Sequence, residues 1–187
     1  SHKNTKSIII PNHSSENRKY IPIGFYEINS NIIISNASQA IYNAEYWIFG
    51  VITSNMHMTW MRTVAGRLKS DYRYSSALVY NTFPFPKISH IQKENIEELV
   101  HLILDERDKN FPKTMAELYD PNKMPEGLKQ AHHNLDIYIE SCYRDKPFEN
   151  DEERLEYLFR LYEKMIKEEV QHKGDKGNKS LDYASEA

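Results

Sequence analysis

The run Phe83-Pro84-Phe85-Pro86 constrains the fold of this chain more than any other feature. Proline lacks an amide hydrogen and fixes φ, and the residue before a proline avoids helical backbone angles, so the run cannot be helical. Short β-branched segments precede it, whereas apolar residues recur every three or four positions after it. We therefore place a domain boundary at residue 88 and expect the run to be a rigid, apolar strap with a structural role.

Residues 1–88 predict a small mixed α/β domain. Strands are expected at residues 8–10 and 32–34, where isoleucines cluster. A third apolar stretch, residues 20–25, contains Pro22, which favours an edge strand or a bulge.

The pattern turns helical around residues 36–46, and the spacing of apolar residues over 47–63 predicts one continuous helix. Gly66 stands where a helix C-cap is expected. Residues 67–80 are expected to be extended.

Residues 89–170 predict a bundle of amphipathic helices, and the composition of residues 171–187 predicts a disordered tail. The expected fold class is therefore α+β, a small mixed α/β domain followed by a C-terminal helical bundle. Each helix has a start signal. The signals are Ser89 with Gln92 for a helix near 90–109, Thr114 with Glu117 for a short turn, Pro125 for a third helix, and Asn150 with Glu153 for a last helix with Leu155, Leu158, Phe159, Tyr162 and Ile166 facing inward.

The net charge of −3 conceals a difference between the two halves. Residues 1–90 contain nine basic and four acidic residues, a net charge of +5, and the remainder contains 15 basic and 23 acidic residues, a net charge of −8. This asymmetry indicates that the first half faces a polyanion, and two ordinary domains that differ in charge are the alternative. Cys142 is the only cysteine, which suits a cytoplasmic protein, and no apolar run is long enough to span a membrane.

Motifs that carry catalysis are missing from the 187 residues. The six glycines form no turn for S-adenosylmethionine outside the tail, and neither an Asn-Pro-Pro-aromatic motif nor a Glu-x-Lys nuclease motif occurs. Among the eight histidines, His132 and His133 are adjacent and face different sides of a helix. We expect no catalytic centre, no metal and no cofactor in this chain.

Lys69, Asp71 and Arg73 form the most informative polar cluster. In an extended chain their side chains point the same way, while Tyr72 and Tyr74 face the fold. In the major groove of DNA, Lys and Arg donate to guanine and Asp accepts from the cytosine amine, so a Lys-x-Asp pair suits one G·C pair. A solvated strand with salt bridges is the alternative.

Several segments, in order along the chain, resemble a known family. They are Ser14-Ser15-Glu16-Asn17-Arg18-Lys19-Tyr20-Ile21-Pro22-Ile23-Gly24-Phe25, Ala40-Ile41-Tyr42-Asn43-Ala44, the stretch 56–68, Tyr72-Arg73-Tyr74-Ser75-Ser76, the stretch 80–86, Leu118-Tyr119-Asp120-Pro121, Lys123-Met124-Pro125, and Phe148 with Asp151-Glu152-Glu153-Arg154. The earlier segments resemble the recognition domain of the MmeI-like (type IIL) restriction–modification proteins, and the later ones resemble its helical C-terminal domain.

The resemblance implies a single polypeptide with nuclease, adenine methyltransferase and recognition domains, with this chain at its end. The parent would use S-adenosylmethionine, and Mg²⁺ for cleavage. In this family, the order of Lys69 and Asp71, basic-x-acid, goes with guanine as the last base of the site.

The resemblance also implies roles at interior bases. Glu16 and Asn36 resemble the pair that reads an interior cytosine. Ala37 and Arg73 resemble the determinants of the next base.

Five further basic residues are expected to contact phosphates, which position a duplex without reading it. They are Arg18, Lys19, Arg62, Arg67 and Lys87, and an ordinary surface charge is the alternative for each. The preferred hypothesis is a chain that binds double-stranded DNA beside the methyltransferase domain of the same polypeptide. A helical protein-interaction module without base-specific contact is the other hypothesis, and exposed apolar residues on the bundle would favour it.

Overall fold

Six strands, six α-helices and one π-helical turn make up the computed structural model, which describes residues 6–27 and 34–182. In chain order they are β1 (Lys6–Pro11), β2 (His13–Ser14), β3 (Gly24–Glu27), β4 (Ser38–Ile41), α1 (Tyr46–Thr53), α2 (Asn55–Val64), β5 (Gly66–Leu68), β6 (Asp71–Arg73), the π-helical turn (Ser76–Tyr80), α3 (His90–Lys109), α4 (Met115–Leu118), α5 (Glu126–Ser141) and α6 (Asp151–Asp182). Small antiparallel sheets followed by helices confirm the predicted α+β class.

The first sheet has the strand order β3-β1-β4 and is antiparallel throughout. Ile8 and Ile10 of β1 are buried, so the strand predicted at residues 8–10 is confirmed. β3 is an edge strand and begins at Gly24, after Pro22, which has no amide hydrogen for a ladder. Residues 32 and 33 of the strand predicted at 32–34 lie outside the described residues.

The helix predicted around residues 36–46 is wrong for most of that stretch. Ser38–Ile41 form β4, which pairs with β1 from Ile8↔Ile41 to Pro11↔Ser38. The pairing satisfies backbone hydrogen-bonding groups of both strands. The free energy gained from pairing with a strand that is distant in sequence outweighs the local helical preference of these residues. The first helix begins at Tyr46.

The helix predicted over residues 47–63 is divided in two at Ser54, whose backbone is extended with φ −74° and ψ 161°. Asp136 of α5 reaches this break. Its Oδ1 accepts a hydrogen bond from the backbone N–H of Asn55 at 2.7 Å, and its Oδ2 accepts one from the Tyr20 hydroxyl at 2.6 Å. The carboxylate thus supplies an acceptor to the N-terminus of α2, where the amides have no partner within the helix.

Gly66 does not cap α2, contrary to the prediction. The helix ends at Val64, Ala65 takes extended angles, and Gly66 opens β5. Residues 67–80 are also not one extended segment, because they contain a hairpin turn and the π-helical turn.

The helix starts predicted in the second half are confirmed. Ser89 and Gln92 form a reciprocal capping box, and so do Thr114 and Glu117. Pro125 is the N-cap residue of α5. These signals are reliable because a cap and its partner lie within one turn of each other.

In α6, Leu158 is buried as expected, but Phe159 and Ile166 are each 38% exposed. The Phe159 ring still meets Trp60 of α2, with centroids 5.1 Å apart. α6 remains helical to Asp182, within the stretch predicted as a disordered tail. Extending a helix adds one hydrogen bond for each residue and needs no new nucleus.

One hydrophobic core joins the two halves of the chain, with α1 packed against α3. A Cβ atom at Gly50 would lie 2.4 Å from Ile96 Cγ2 and 3.2 Å from Val100 Cγ2, so only glycine allows this approach. The buried Arg107 of α3 adds a polar link, because its Nη1 donates to the carbonyl of Ile23 at 3.0 Å. Residues on both sides of the predicted boundary therefore pack together.

We expect Gly50→Ala to lower the free energy of unfolding by about 1–3 kcal/mol, since the methyl group has no room between α1 and α3. Urea denaturation measures this change. Gly127→Ala is the matched control, because the atoms nearest its Cβ belong to the flexible end of Glu106. Helix propensity should leave this variant at least as stable as the wild type. Equal stabilities of the two variants would contradict the packing argument.

Asp136 predicts a pH dependence of stability. Burial raises the pKa of its carboxyl from 3.8 to about 6, so between these values the folded chain holds a proton that the unfolded chain has released. The free energy of unfolding therefore falls as pH rises through this window. Asp136→Asn keeps an oxygen acceptor for Asn55 and removes the titration. Relative to this variant, the free energy of unfolding of the wild type should fall by on the order of 3 kcal/mol between about pH 4 and pH 7. Urea denaturation measures both free energies, and a difference between the two proteins that stays constant across this range would disprove the assignment.

Candidate nucleic-acid interface

β5 and β6 form a hairpin whose turn is Lys69-Ser70. Leu68 and Asp71 are its last cross-strand pair, and Lys69 has a φ of 58°, in the left-handed region that two-residue hairpin turns need. Asp71 and Arg73 lie in β6 as predicted, but Lys69 lies in the turn. The expectation that all three alternate along one extended strand is therefore wrong for Lys69.

The second sheet has the order β2-β6-β5, and one of its faces is exposed. Cross-strand partners lie on the same face of a sheet. The pairs on the exposed side are His13–Arg73, Gly66–Arg73 and Leu68–Asp71. We call these five residues, all of them exposed, the outer face. On the opposite side Tyr72 is only 7% exposed, so its predicted inward orientation is confirmed.

Tyr74 fixes the end of β6 to the core. Its backbone N–H donates to the carbonyl of Asn12 at 2.8 Å, and its hydroxyl lies 3.1 Å from Nε2 of the buried His57. Burial lowers the pKa of His57 to about 3, so the ring is neutral at neutral pH. Phe83 of the aromatic–proline strap meets His57 edge-on at 4.6 Å, in keeping with a structural role for the strap.

Asn12 brings a second predicted segment to this sheet. Its Nδ2 donates to the carbonyl of Asn36 at 2.8 Å, and its backbone N–H donates to the carbonyl of Ala37 at 2.9 Å. Because Asn12 directly precedes β2, the exposed Asn36 and Ala37 lie beside the strand that carries His13. Sequence analysis missed Asn12 and His13, since a two-residue strand has no periodicity to detect.

Arg67 brings Glu16 to the hairpin. Its Nη1 donates to Glu16 Oε2 at 3.3 Å and to the carbonyl of Ser70 at 2.8 Å. Its guanidinium carbon lies 4.1 Å from the centroid of the Tyr72 ring. The six residues predicted to read bases are thus gathered around one small sheet, although they come from three separate segments.

The predicted phosphate contacts occupy different places. Arg62 donates from Nη2 to the carbonyl of Lys19 at 3.0 Å, and its Nη1 lies 3.6 Å from Asp151 of α6. Lys19 is exposed and Arg18 is half-buried. Lys87 lies elsewhere, in a groove of about 750 Å³ between the strap, the two residues that follow α5, and helix α6.

Within residues 6–27 and 34–182, no group of three or more His, Cys, Asp or Glu side chains could hold a metal ion. His132 is buried with its Nε2 2.7 Å from the Tyr119 hydroxyl, and burial lowers its pKa well below the usual value. No helix in the part of the chain that the structure describes is long and apolar enough to cross a membrane.

Comparisons with known proteins place this arrangement in a family. Residues 1–87 match the family model described as "MmeI, target recognition domain", and residues 88–170 match "MmeI, C-terminal domain". DNA methyltransferase A of Bacillus subtilis (strain 168) is 52% identical over 159 residues, which are 85% of this chain and 18% of that protein.

The fold is also similar to a solved structure. It is that of the type IIL restriction–modification enzyme MmeI in complex with DNA, with a TM-score of 0.83 and 45% identity. The match covers 89% of this chain and 22% of that one, so this chain spans about a fifth of the length of these relatives. The chain therefore belongs to the MmeI family and carries the target recognition domain and the C-terminal domain of that family.

Proposed function

We propose that this chain reads the base sequence of double-stranded DNA as the C-terminal part of a restriction–modification protein. The observation that carries the proposal is the outer face, an exposed surface with cationic and anionic side chains near one hairpin tip. The family match adds to it, since a solved relative is described in complex with DNA. A two-stranded ribbon fits the major groove of B-DNA, where base edges are exposed.

Lys69 and Asp71 are the proposed readers of a G·C pair at the end of the site. Lys69 is in the turn and Asp71 is the first residue of β6, so both project from the hairpin tip. The ammonium of Lys69 would donate to the acceptors of guanine, and the carboxylate of Asp71 would accept from the cytosine amine. The long stem of Lys69 compensates for its position outside the strand.

Glu16, Asn36, Ala37 and Arg73 are the proposed readers of interior bases. Arg73 lies in the central strand of the sheet, and the contacts of Asn12 hold Asn36 and Ala37 beside β2. An arginine and a carboxylate supply a donor and an acceptor of the kind that base edges require.

Arg18, Lys19, Arg62, Arg67 and Lys87 are the proposed phosphate contacts. The net charge of +5 over residues 1–90 supports electrostatic attraction to a polyanion. Lys19, Arg67 and Lys87 are exposed, as a contact to a phosphate requires. Arg62 is only 26% exposed and is engaged by Lys19 and Asp151, which favours a supporting role.

The parent protein is proposed to be a cytoplasmic adenine methyltransferase with restriction endonuclease activity. Its methyltransferase domain, the partner of this chain within the same polypeptide, would bind S-adenosylmethionine and take the flipped adenine. Cleavage would need Mg²⁺. The residues of this chain do not fit S-adenosylmethionine or Mg²⁺. The chain has no glycine-rich cofactor turn outside the tail, and the described part has no group of three or more His, Cys, Asp or Glu side chains that could hold a metal ion.

Exposed apolar residues on the helical part favour a second role, in contact with another protein surface. They are Ile91, Leu102, Phe111, Ile137 and Val170, each at least 49% exposed. Exposed apolar side chains of this kind are typical of a surface that packs against another domain of the parent protein. This role is compatible with DNA recognition by the outer face.

The charge exchange Lys69→Glu with Asp71→Arg should change the preferred last base from guanine to cytosine, because it reverses the order of donor and acceptor. Each bidentate base contact contributes about 1–3 kcal/mol of discrimination. The measurement is binding of the full-length protein to a duplex pool randomised at each site position, followed by sequencing.

The matched control exchanges the exposed pair Glu156 and Arg160 on α6, as Glu156→Arg with Arg160→Glu. It should keep the wild-type base preference at every position. An unchanged preference for guanine in the Lys69 and Asp71 variant would remove the base-reading assignment.

Lys19→Gln should weaken binding equally for all sequences, since a phosphate contact carries no base information. The slope of log affinity against log salt concentration should become shallower by about 0.9, as expected for one lost contact. Titrations of the full-length protein at several salt concentrations measure this slope, with Arg160→Gln as the control. Binding that does not depend on salt would contradict phosphate contact altogether.

A further inference from the structure

Arg67 makes three contacts that converge on the hairpin tip. One Nη atom donates both to the carbonyl of Ser70 in the turn and to the carboxylate of Glu16, and the guanidinium stacks over Tyr72. Arg67 and Tyr72 are cross-strand partners in the β5–β6 register, so the stacking follows from strand pairing. One side chain thus touches β6, the turn and the segment that carries Glu16.

We propose that Arg67 is a positioning residue that holds the hairpin tip and Glu16 as one unit, so that the last base and an interior base are recognised cooperatively. This proposal rests on the proposed function, because it assigns no base contact of its own. It gives Arg67 a different role from the phosphate contact expected from its charge. Its consequence is that a change at Glu16 alters the choice of the last base, which Glu16 itself does not read.

The hairpin tip needs such a support. Lys69 adopts a positive φ without being glycine, which is an uncommon and unfavourable backbone state. Every residue of β5 is exposed, and β5 is an edge strand of only three residues. Few buried contacts therefore hold the tip, and a hydrogen bond to the turn carbonyl restricts it directly.

Arginine suits this role and lysine does not. A planar guanidinium stacks flat on an aromatic ring while its N–H groups donate in the plane to separate acceptors. Lysine has a compact ammonium that cannot stack in this way. Arg67→Lys therefore keeps the positive charge available to a phosphate and removes the geometry that joins Tyr72, Ser70 and Glu16.

The ion pair between Arg67 and Glu16 positions the two side chains and contributes little to the free energy of unfolding. The side chains of Arg67 and Glu16 are 46% and 42% exposed, and exposed ion pairs contribute little to folding. The effect of this pair should therefore appear in base preference, not in the melting temperature.

The experiment selects duplexes from a randomised pool with the full-length protein and compares the wild type, Arg67→Lys, Glu16→Ala and the double variant. Arg67→Lys should reduce the preference for the best base by about fivefold or more at both the last and the interior position. Glu16→Ala should also reduce the preference at the last position. The double variant should lose less at that position than the product of the two single losses.

Two controls separate this role from simpler ones. Arg160→Lys makes the same substitution at an exposed ion pair on α6 and should leave base preference unchanged. The melting temperature of Arg67→Lys should stay within about 3 °C of the wild type, as for most surface substitutions. A larger fall, with base preference retained, would assign Arg67 to folding and overturn the proposal.

The remaining outcomes distinguish a failure of the Arg67 positioning role from a failure of the proposed DNA recognition. If the wild type selects a sequence but Arg67→Lys selects it equally well, cooperative recognition is wrong and DNA recognition stands. A shallower salt slope for Arg67→Gln, with unchanged preference in both Arg67 variants, would make Arg67 a phosphate contact only. A wild type without any base preference would overturn the proposed function and this inference together.

Discussion

The buried carboxylate of Asp136 joins parts of the chain that are far apart in sequence. It lies on α5, accepts a hydrogen bond from the Tyr20 hydroxyl, and supplies an acceptor to the first amide of α2. A buried carboxylate is costly unless its oxygens are satisfied, so these three segments are required to meet. These hydrogen bonds fix the direction in which α2 continues after the break at Ser54.

The outer face depends on the direction of α2. His57 of α2 contacts the hydroxyl of Tyr74, which directly follows β6. The helical part of the chain thus supports the small sheet through one helix and one buried pair of side chains. A surface that distinguishes bases has to be held in place, because hydrogen bonds to base edges depend on distance and angle.

Two connecting residues explain how scattered residues form one proposed reading surface. Asn12 holds the segment with Asn36 and Ala37 beside β2, and Arg67 holds Glu16 beside the hairpin tip. Neither residue was expected to have this role. The proposed readers lie on short, exposed segments whose conformations depend on such links, so substitutions at one reader are not independent of the others.

The sequence by itself determined the features that depend on neighbouring residues. These include the capping boxes at Ser89 and Thr114, the strand at residues 8–10, the inward-facing Tyr72 and Tyr74, and the family likeness. The tertiary structure decided the rest: β4 in place of a helix, the break at Ser54 and the turn at Lys69. Each of these depends on a partner distant in the chain or on the closure of a hairpin. Local propensity is too weak to specify such contacts, because pairing and burial contribute more free energy than any local preference.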